Sequence, residues 1–286
     1  MIDKLKILSE LTKIKITVFV TVTTALGYIC YAERFNLYML VPLIGILLLS
    51  CGSAAVNHIQ ERSTDALMHR TMNRPLPSGR ISLKNAWLIA LLLIISGSII
   101  LYYAGTIALL LGLLNLVWYN LVYTPLKKVS ALAIIPGSLV GAIPPMVGWV
   151  AAGGSLTDPR ILFLALFFFI WQIPHFWLLL LVLSNDYERA GFPTLTKIFD
   201  KEQLSRITFM WILATIITGL LIPFFGLVKF PIINILLLIP AFWLSIKAVK
   251  LLTRNSENVS FTFAFREINM FVLAMILLLS IDKILI

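Results

Sequence analysis

Between Asn57 and Gly79 the chain reads NHIQERSTDALMHRTMNRPLPSG, with Asn57, Glu61 and Asp65 recurring every four residues. On a helix that spacing puts one carboxamide and two carboxylates on a single face. Like charges so placed repel mildly, and a bound cation would remove that cost. Arg70 and Arg74 follow at once, spaced like a clamp, with Arg62 and Arg80 as flanking basic residues. Carboxylate oxygens are hard ligands for Mg²⁺, which takes one or two of them together with phosphate oxygens. Guanidinium groups are forked donors to those same phosphates. The stretch therefore predicts a cation held by Glu61 and Asp65 with Asn57 beside them, and a phosphate-bearing substrate held by Arg70 and Arg74. Pro75-Leu76-Pro77-Ser78-Gly79 reads as a rigid turn that ends the helix and re-aims the chain.

Three further groups carry chemistry. Gln172 and His175 lie inside an apolar run, in Trp171-Gln172-Ile173-Pro174-His175-Phe176. Polar side chains at such depth are costly to keep in lipid and mark a functional cavity. Pro174 frees backbone carbonyls there. A neutral imidazole at position 175 suits either ligation of an iron or orientation of a bound molecule. Asp186, in Asn185-Asp186-Tyr187-Glu188-Arg189, sits where that run ends, a thin echo of the first acidic stretch that faces it across a cavity. Lys127 and Lys128 follow Tyr123-Thr124-Pro125-Leu126. Alone they are ordinary topology signals; beside a phosphate site they become ligands for it.

The elements that must position these residues are membrane spans. Of 286 residues 60% are hydrophobic and only 13% charged, with a mean hydropathy of +0.97, against about 25% charged in soluble domains. The net charge of +10 is not a nucleic-acid signature, because the basic residues cluster at the ends of apolar runs. Cys30 and Cys51 fall in or beside such runs and form neither a disulfide framework nor a metal-ligand spacing. The first fifteen residues mix four lysines with Asp3 and Glu10 and read as an amphipathic lead-in with no cleavable signal peptide.

Nine runs are long enough to span a bilayer, at roughly 14–32, 38–56, 86–104, 106–124, 130–152, 161–184, 207–227, 231–249 and 267–285. With the N-terminus inside, 19 of the 23 Lys and Arg residues, Arg254 among them, fall on inner segments. That asymmetry supports an odd span count and a cytoplasmic N-terminus. Glu61, Asp65, Asp186, Glu188, Asp200, Glu202 and Glu257 fall on the same side, so the chemistry is expected at the cytoplasmic face.

The stretch from Asn57 to Asp65, MHRTMNRPLPSGR at 68–80, YTPLKK at 123–128, IPGSLVGAIPPMVGW at 135–149, QIPHFW at 172–177 and NDYERAGFP at 185–193 together resemble the UbiA superfamily of intramembrane prenyltransferases, and within it the haem-farnesylating branch. The last 80 residues match only in hydropathy. The resemblance implies an all-α integral membrane protein: one domain over 1–286, with nine transmembrane helices around a central cavity open to the cytoplasm. It implies Mg²⁺-dependent transfer of the farnesyl group of farnesyl diphosphate to haem b, the haem being substrate and not cofactor. Asn57, Glu61, Asp65 and Asp186 would be catalytic, with Glu61, Asp65 and Asp186 on the metal. Arg70, Arg74, Lys127 and Lys128 would hold the diphosphate. His175 and Gln172 would hold the haem, with His58 and His69 as reserves. It further implies a place in the plasma membrane with the C-terminus outside, work beside haem A synthase or a terminal oxidase assembly, and no nucleic-acid partner.

One departure stands out. The second acidic motif keeps only Asp186, with Leu183 and Tyr187 where fuller motifs carry acids. This favours haem over an aromatic quinone precursor as acceptor and leaves the number of metal ions open. A transporter would also carry polar residues and broken helices in its spans, but here the charged groups gather at one face and not at mid-membrane.

Overall fold

Short polar caps cut the apolar runs into helices. The computed structural model describes residues 2–253 and 261–284, so Arg254 and Glu257 of the charge pattern lie outside it. Helix α1 (Ile2–Leu11) leads into α2 (Ile14–Ala32). Asn36 caps the turn into α3 (Leu40–Asp65), and Ser82 caps α4 (Leu83–Ala104). Gly105, at a φ of 132° that a residue with a Cβ would rarely adopt, makes the tight hairpin into α5 (Thr106–Val117). Helix α6 spans Leu139–Ala151 and α7 spans Pro159–Val182, the latter capped by Asp158 with proline at its first position. A reciprocal Asp200–Gln203 capping box starts α8 (Lys201–Leu221). Helices α9 (Pro231–Thr253) and α10 (Phe261–Ile284) complete the order.

Among the described residues nine helical segments are long and apolar enough to cross a membrane. They match the nine expected runs, with three extended at the end that carries the long polar connections. The second continues to Asp65, the seventh starts at Lys201 and the ninth at Phe261. Hydropathy marks where a helix leaves the lipid, not where its hydrogen bonding stops. The turn at Pro75–Gly79 is real, but α3 ends ten residues before Pro75, at Asp65. The intervening segment folds as successive turns of its own, with Thr71 bonding back to the Asp65 carbonyl.

Each spanning helix packs on the next in sequence, and α10 returns to α2, so the nine form a closed ring. Helices α2 and α6 approach closely across it. A Cβ on Gly148 would lie 1.9 Å from the Thr24 carbonyl oxygen, and one on Gly27 would lie 1.9 Å from that of Pro145. The outer face of α4 exposes Leu88, Leu91, Leu92, Ile95 and Ile99. Such a stripe is intolerable in water and natural against acyl chains. At one end of the ring Asp282 is buried and accepts the backbone N–H groups of Lys229 and Phe230, while Lys229 and Lys283 approach Glu33. At the other end lie the long connections 66–82 and 183–200 and the mouth of a cavity.

Candidate active site

Because α3 stays helical past the apolar run, Asn57, Glu61 and Asp65 share one face at the mouth, each at most 4% exposed. Buried polar groups require partners, and each has a basic or hydroxyl one. Arg74 Nη1 donates to both Asp65 oxygens at 3.0 and 2.8 Å. Lys127 Nζ lies 2.5 Å from Glu61 Oε1, an ion pair not aligned as a hydrogen bond. Asn57 accepts from Lys13 Nζ at 2.6 Å and donates to Thr124 Oγ1 at 3.0 Å.

Lys13 is a site residue that sequence reading assigned to the basic lead-in. The chain breaks between α1 and α2 with Lys13 in the left-handed region at φ 50°. This aims its ammonium at Asn57. Burial, with Arg74 close by and only partly offset by Glu61, lowers its pKa to about 7. Lys127 behaves oppositely. Burial alone would lower its pKa, but the Glu61 carboxylate outweighs that and holds it above the ordinary lysine value.

Beyond α5 the chain makes a π-helical turn, Trp118–Tyr123, before the short helical turn Thr124–Leu126. Such turns insert a residue and leave carbonyls to be satisfied. Gln60 Nε2 donates to the Asn120 carbonyl, and Thr124 Oγ1 to that of Tyr119. The turn brings Tyr119, Tyr123 and Lys127 to the cavity. Lys128, one residue on, is exposed and outside the lining, so the structure separates two lysines that sequence could not.

The cavity holds about 500 Å³. Its mouth carries Lys13, Lys15, Arg70, Arg74 and Lys127 against Glu61 and Asp65, an excess of positive charge suited to a polyanion. Its body is apolar, built from Phe19, Ile46, Leu49, Leu116, Trp171 and Leu179. Gln172 and His175 reach it from α7, which runs unbroken through Pro174. The Gln172 amide packs over Gly141 and lines the cavity. His175 is held by Asn269 of α10, a residue that no sequence signal distinguished.

Three expected residues stand elsewhere. Asp186 is at the rim, its carboxylate accepting the backbone N–H groups of His69 and Arg70 at 3.2 and 3.3 Å, so it ties the two polar connections together. It does not line the cavity. His69 is exposed. His58 is 1% exposed with neither ring nitrogen hydrogen-bonded among the described residues, and borders an adjoining basic vestibule that shares Lys13, Arg70 and Arg74 with the cavity mouth. Neither histidine shares the chamber of His175.

Among the described residues no three His, Cys, Asp or Glu side chains form a closed metal site. Two carboxylates beside a carboxamide are too few for an all-protein cage. They fit a Mg²⁺ that completes its shell with phosphate oxygens and water.

The profile of the UbiA prenyltransferase family matches residues 18–273. The chain belongs to that family. Among UbiA relatives, the protoheme IX farnesyltransferase of Geobacter sulfurreducens is 40% identical over 201 residues, covering 70% of this chain and 74% of its own. That of Flavobacterium psychrophilum is 37% identical over 261 residues, 87% of this chain and 85% of its own. Solved UbiA structures share the fold at lower identity. A digeranylgeranylglyceryl phosphate synthase superposes with a TM-score of 0.77 at 17% identity, over 99% of this chain and 100% of its own. A UbiA homologue from Archaeoglobus fulgidus bound to GPP and Mg²⁺ superposes with a TM-score of 0.74 at 14% identity, over 98% of this chain and 100% of its own.

Proposed function

We propose that this UbiA enzyme transfers the farnesyl group of farnesyl diphosphate to a vinyl group of haem b, at the cytoplasmic face of the plasma membrane. The observation that carries the reading is the polarity of one cavity: a cationic mouth with two paired carboxylates, an apolar body, and an imidazole at its wall. The family and the farnesyltransferase relatives support the same assignment.

In this reading the diphosphate lies at the mouth on Lys13, Arg70, Arg74 and Lys127, and the farnesyl chain fills the apolar body. Glu61 and Asp65 would hold Mg²⁺, with Asn57 beside them, and the metal would neutralise charge developing on the leaving group. The allylic C–O bond breaks with its electron pair leaving on diphosphate. The basic side chains stabilise that charge where it forms. The vinyl group attacks the farnesyl cation, a C–C bond forms, and water adds to the resulting cation beside the porphyrin with loss of one proton. The apolar walls keep water from the farnesyl cation until then. Asp186, tying 69–70 to the second connection, shapes the mouth and is assigned no metal. His175 and Gln172 face the haem. The excess of basic residues at the cavity end supports an inner position for that end and for the N-terminus.

The test is an assay on purified protein with haem b, farnesyl diphosphate and Mg²⁺, following haem mass by chromatography. Wild type should yield hydroxyethylfarnesyl haem, and Asp65→Ala or chelation should abolish it. Prenylation of a phenolic acid with none of haem would overturn the acceptor.

A further inference from the structure

His175 Nδ1 lies 2.7 Å from Oδ1 of Asn269. The amide has one sensible orientation. Its Nδ2 donates to the Phe265 carbonyl at 2.7 Å, and a flip would set two acceptor oxygens against each other. Oδ1 therefore faces the imidazole and can only accept, so Nδ1 carries the proton. A neutral imidazole so protonated has its lone pair on Nε2. The hydrogen bond of the ring runs through Nδ1, which leaves Nε2 to the cavity that His175 and Asn269 both line. Three rings hold the imidazole in place: Trp171 at 5.0 Å, Phe265 at 5.1 Å and Phe176 at 5.7 Å between centroids. An aromatic cage alone would fix the plane of the ring and leave its tautomer free. Asn269 removes that freedom.

We propose that Asn269 is a positioning residue: it locks His175 in the Nδ1–H form so that Nε2 is presented as an axial ligand to the iron of the haem substrate. The inference rests on the haem-farnesylation reading. Ligating histidines commonly donate their other N–H to an oxygen acceptor, which orients the ring and raises its basicity. Here α10 supplies that acceptor to a histidine on α7. Anchoring the iron on a fixed ring sets which edge of the porphyrin faces the allylic carbon.

The experiment is optical titration of the full-length protein with haem b, ferric and ferrous, with binding of Mg²⁺–farnesyl diphosphate measured alongside. Wild type should give a histidine-ligated spectrum that His175→Ala loses. Asn269→Leu should weaken haem binding about 10–100-fold, with prenyl diphosphate binding unchanged. Asn269→Asp keeps the acceptor and adds charge. It should restore affinity and lower the haem midpoint potential. In a His175→Ala background Asn269→Leu should have no further effect. Wild-type spectrum and affinity in Asn269→Leu, with His175→Ala impaired, would overturn the role of Asn269 and leave the haem reading standing. An unchanged His175→Ala would instead overturn the ligand itself. Should Asn269→Leu lose prenyl diphosphate binding too, Asn269→Asp decides: a wild-type potential overturns the proposal and a lowered one supports it.

Discussion

Asp65→Asn keeps the side chain's shape and removes its charge. That carboxylate accepts two bonds from Arg74 and is 2% exposed, whereas Arg74 is 20% exposed and can turn toward water. The carboxamide would keep one acceptor for Arg74, so the fold loses part of one charge-assisted interaction, about 1–2 kcal/mol. The larger penalty of about 3–5 kcal/mol applies to a charge stranded in the interior, and Arg74 is not stranded. Catalysis loses far more. A metal stabilising a leaving phosphate is worth several kcal/mol. Misplacing it by loss of one of two carboxylates at about 4 kcal/mol is about a thousandfold in rate. The assay is farnesyl-haem formation in lipid nanodiscs across a Mg²⁺ titration, with thermal unfolding in parallel. A thousandfold slower enzyme of nearly wild-type melting temperature is expected. A rate within tenfold of wild type at saturating Mg²⁺ would refute the metal role and leave Asp65 as a support for Arg74.

Lys13→Met should weaken prenyl diphosphate binding by about 10–100-fold, the loss of one charge-assisted bond. Because burial brings Lys13 to about 7 and a bound anion raises it, binding above that pH takes up a proton and affinity falls as pH rises. Calorimetry in buffers of different ionisation enthalpy should find an uptake that Lys13→Met lacks. Gly148→Ala should destabilise the bundle by about 1–3 kcal/mol, since its Cβ has no room against the Thr24 carbonyl; an unchanged melting curve would contradict the α2–α6 contact. Thr194 and Thr196 hydroxyls bond Glu188 and lower its pKa. Protection of the 183–200 connection against hydrogen exchange should therefore hold above the ordinary carboxylate pKa and fall as pH drops through the lowered one, and Glu188→Gln should lack that dependence.

The spans and the acidic face were legible because each rests on a local rule. About twenty apolar residues cross a bilayer, and a four-residue interval stacks side chains on a helix. What stayed hidden depends on contacts between distant segments or on backbone detail. The break at Lys13 carries no glycine or proline to announce it, so its ammonium read as one more inner charge. Asn269 lies in an apolar helix 94 residues from the histidine it serves. Lys127 and Lys128 are neighbours in sequence, and only the π-helical turn before them decides which one enters the site. That Asp186 accepts the backbone N–H groups of His69 and Arg70 at the rim was likewise hidden, because it depends on a contact between segments more than a hundred residues apart.

Each carboxylate at the mouth already has a cation of its own, Lys127 for Glu61 and Arg74 for Asp65. A bare Mg²⁺ arriving first would have to displace an ammonium and a guanidinium and leave both without anions. A bare diphosphate arriving first would be drawn by the cations of the mouth, but engaging Lys127 and Arg74 would take them from Glu61 and Asp65 and leave two carboxylates unpaired beside it. With both bound, the partners would exchange: side-chain cations to phosphate, carboxylates to metal, and no charge would be left alone. On the proposed function, metal and prenyl diphosphate would therefore be linked ligands, each raising the affinity of the other by the same factor, because the two ion pairs favour joint binding over either ligand alone.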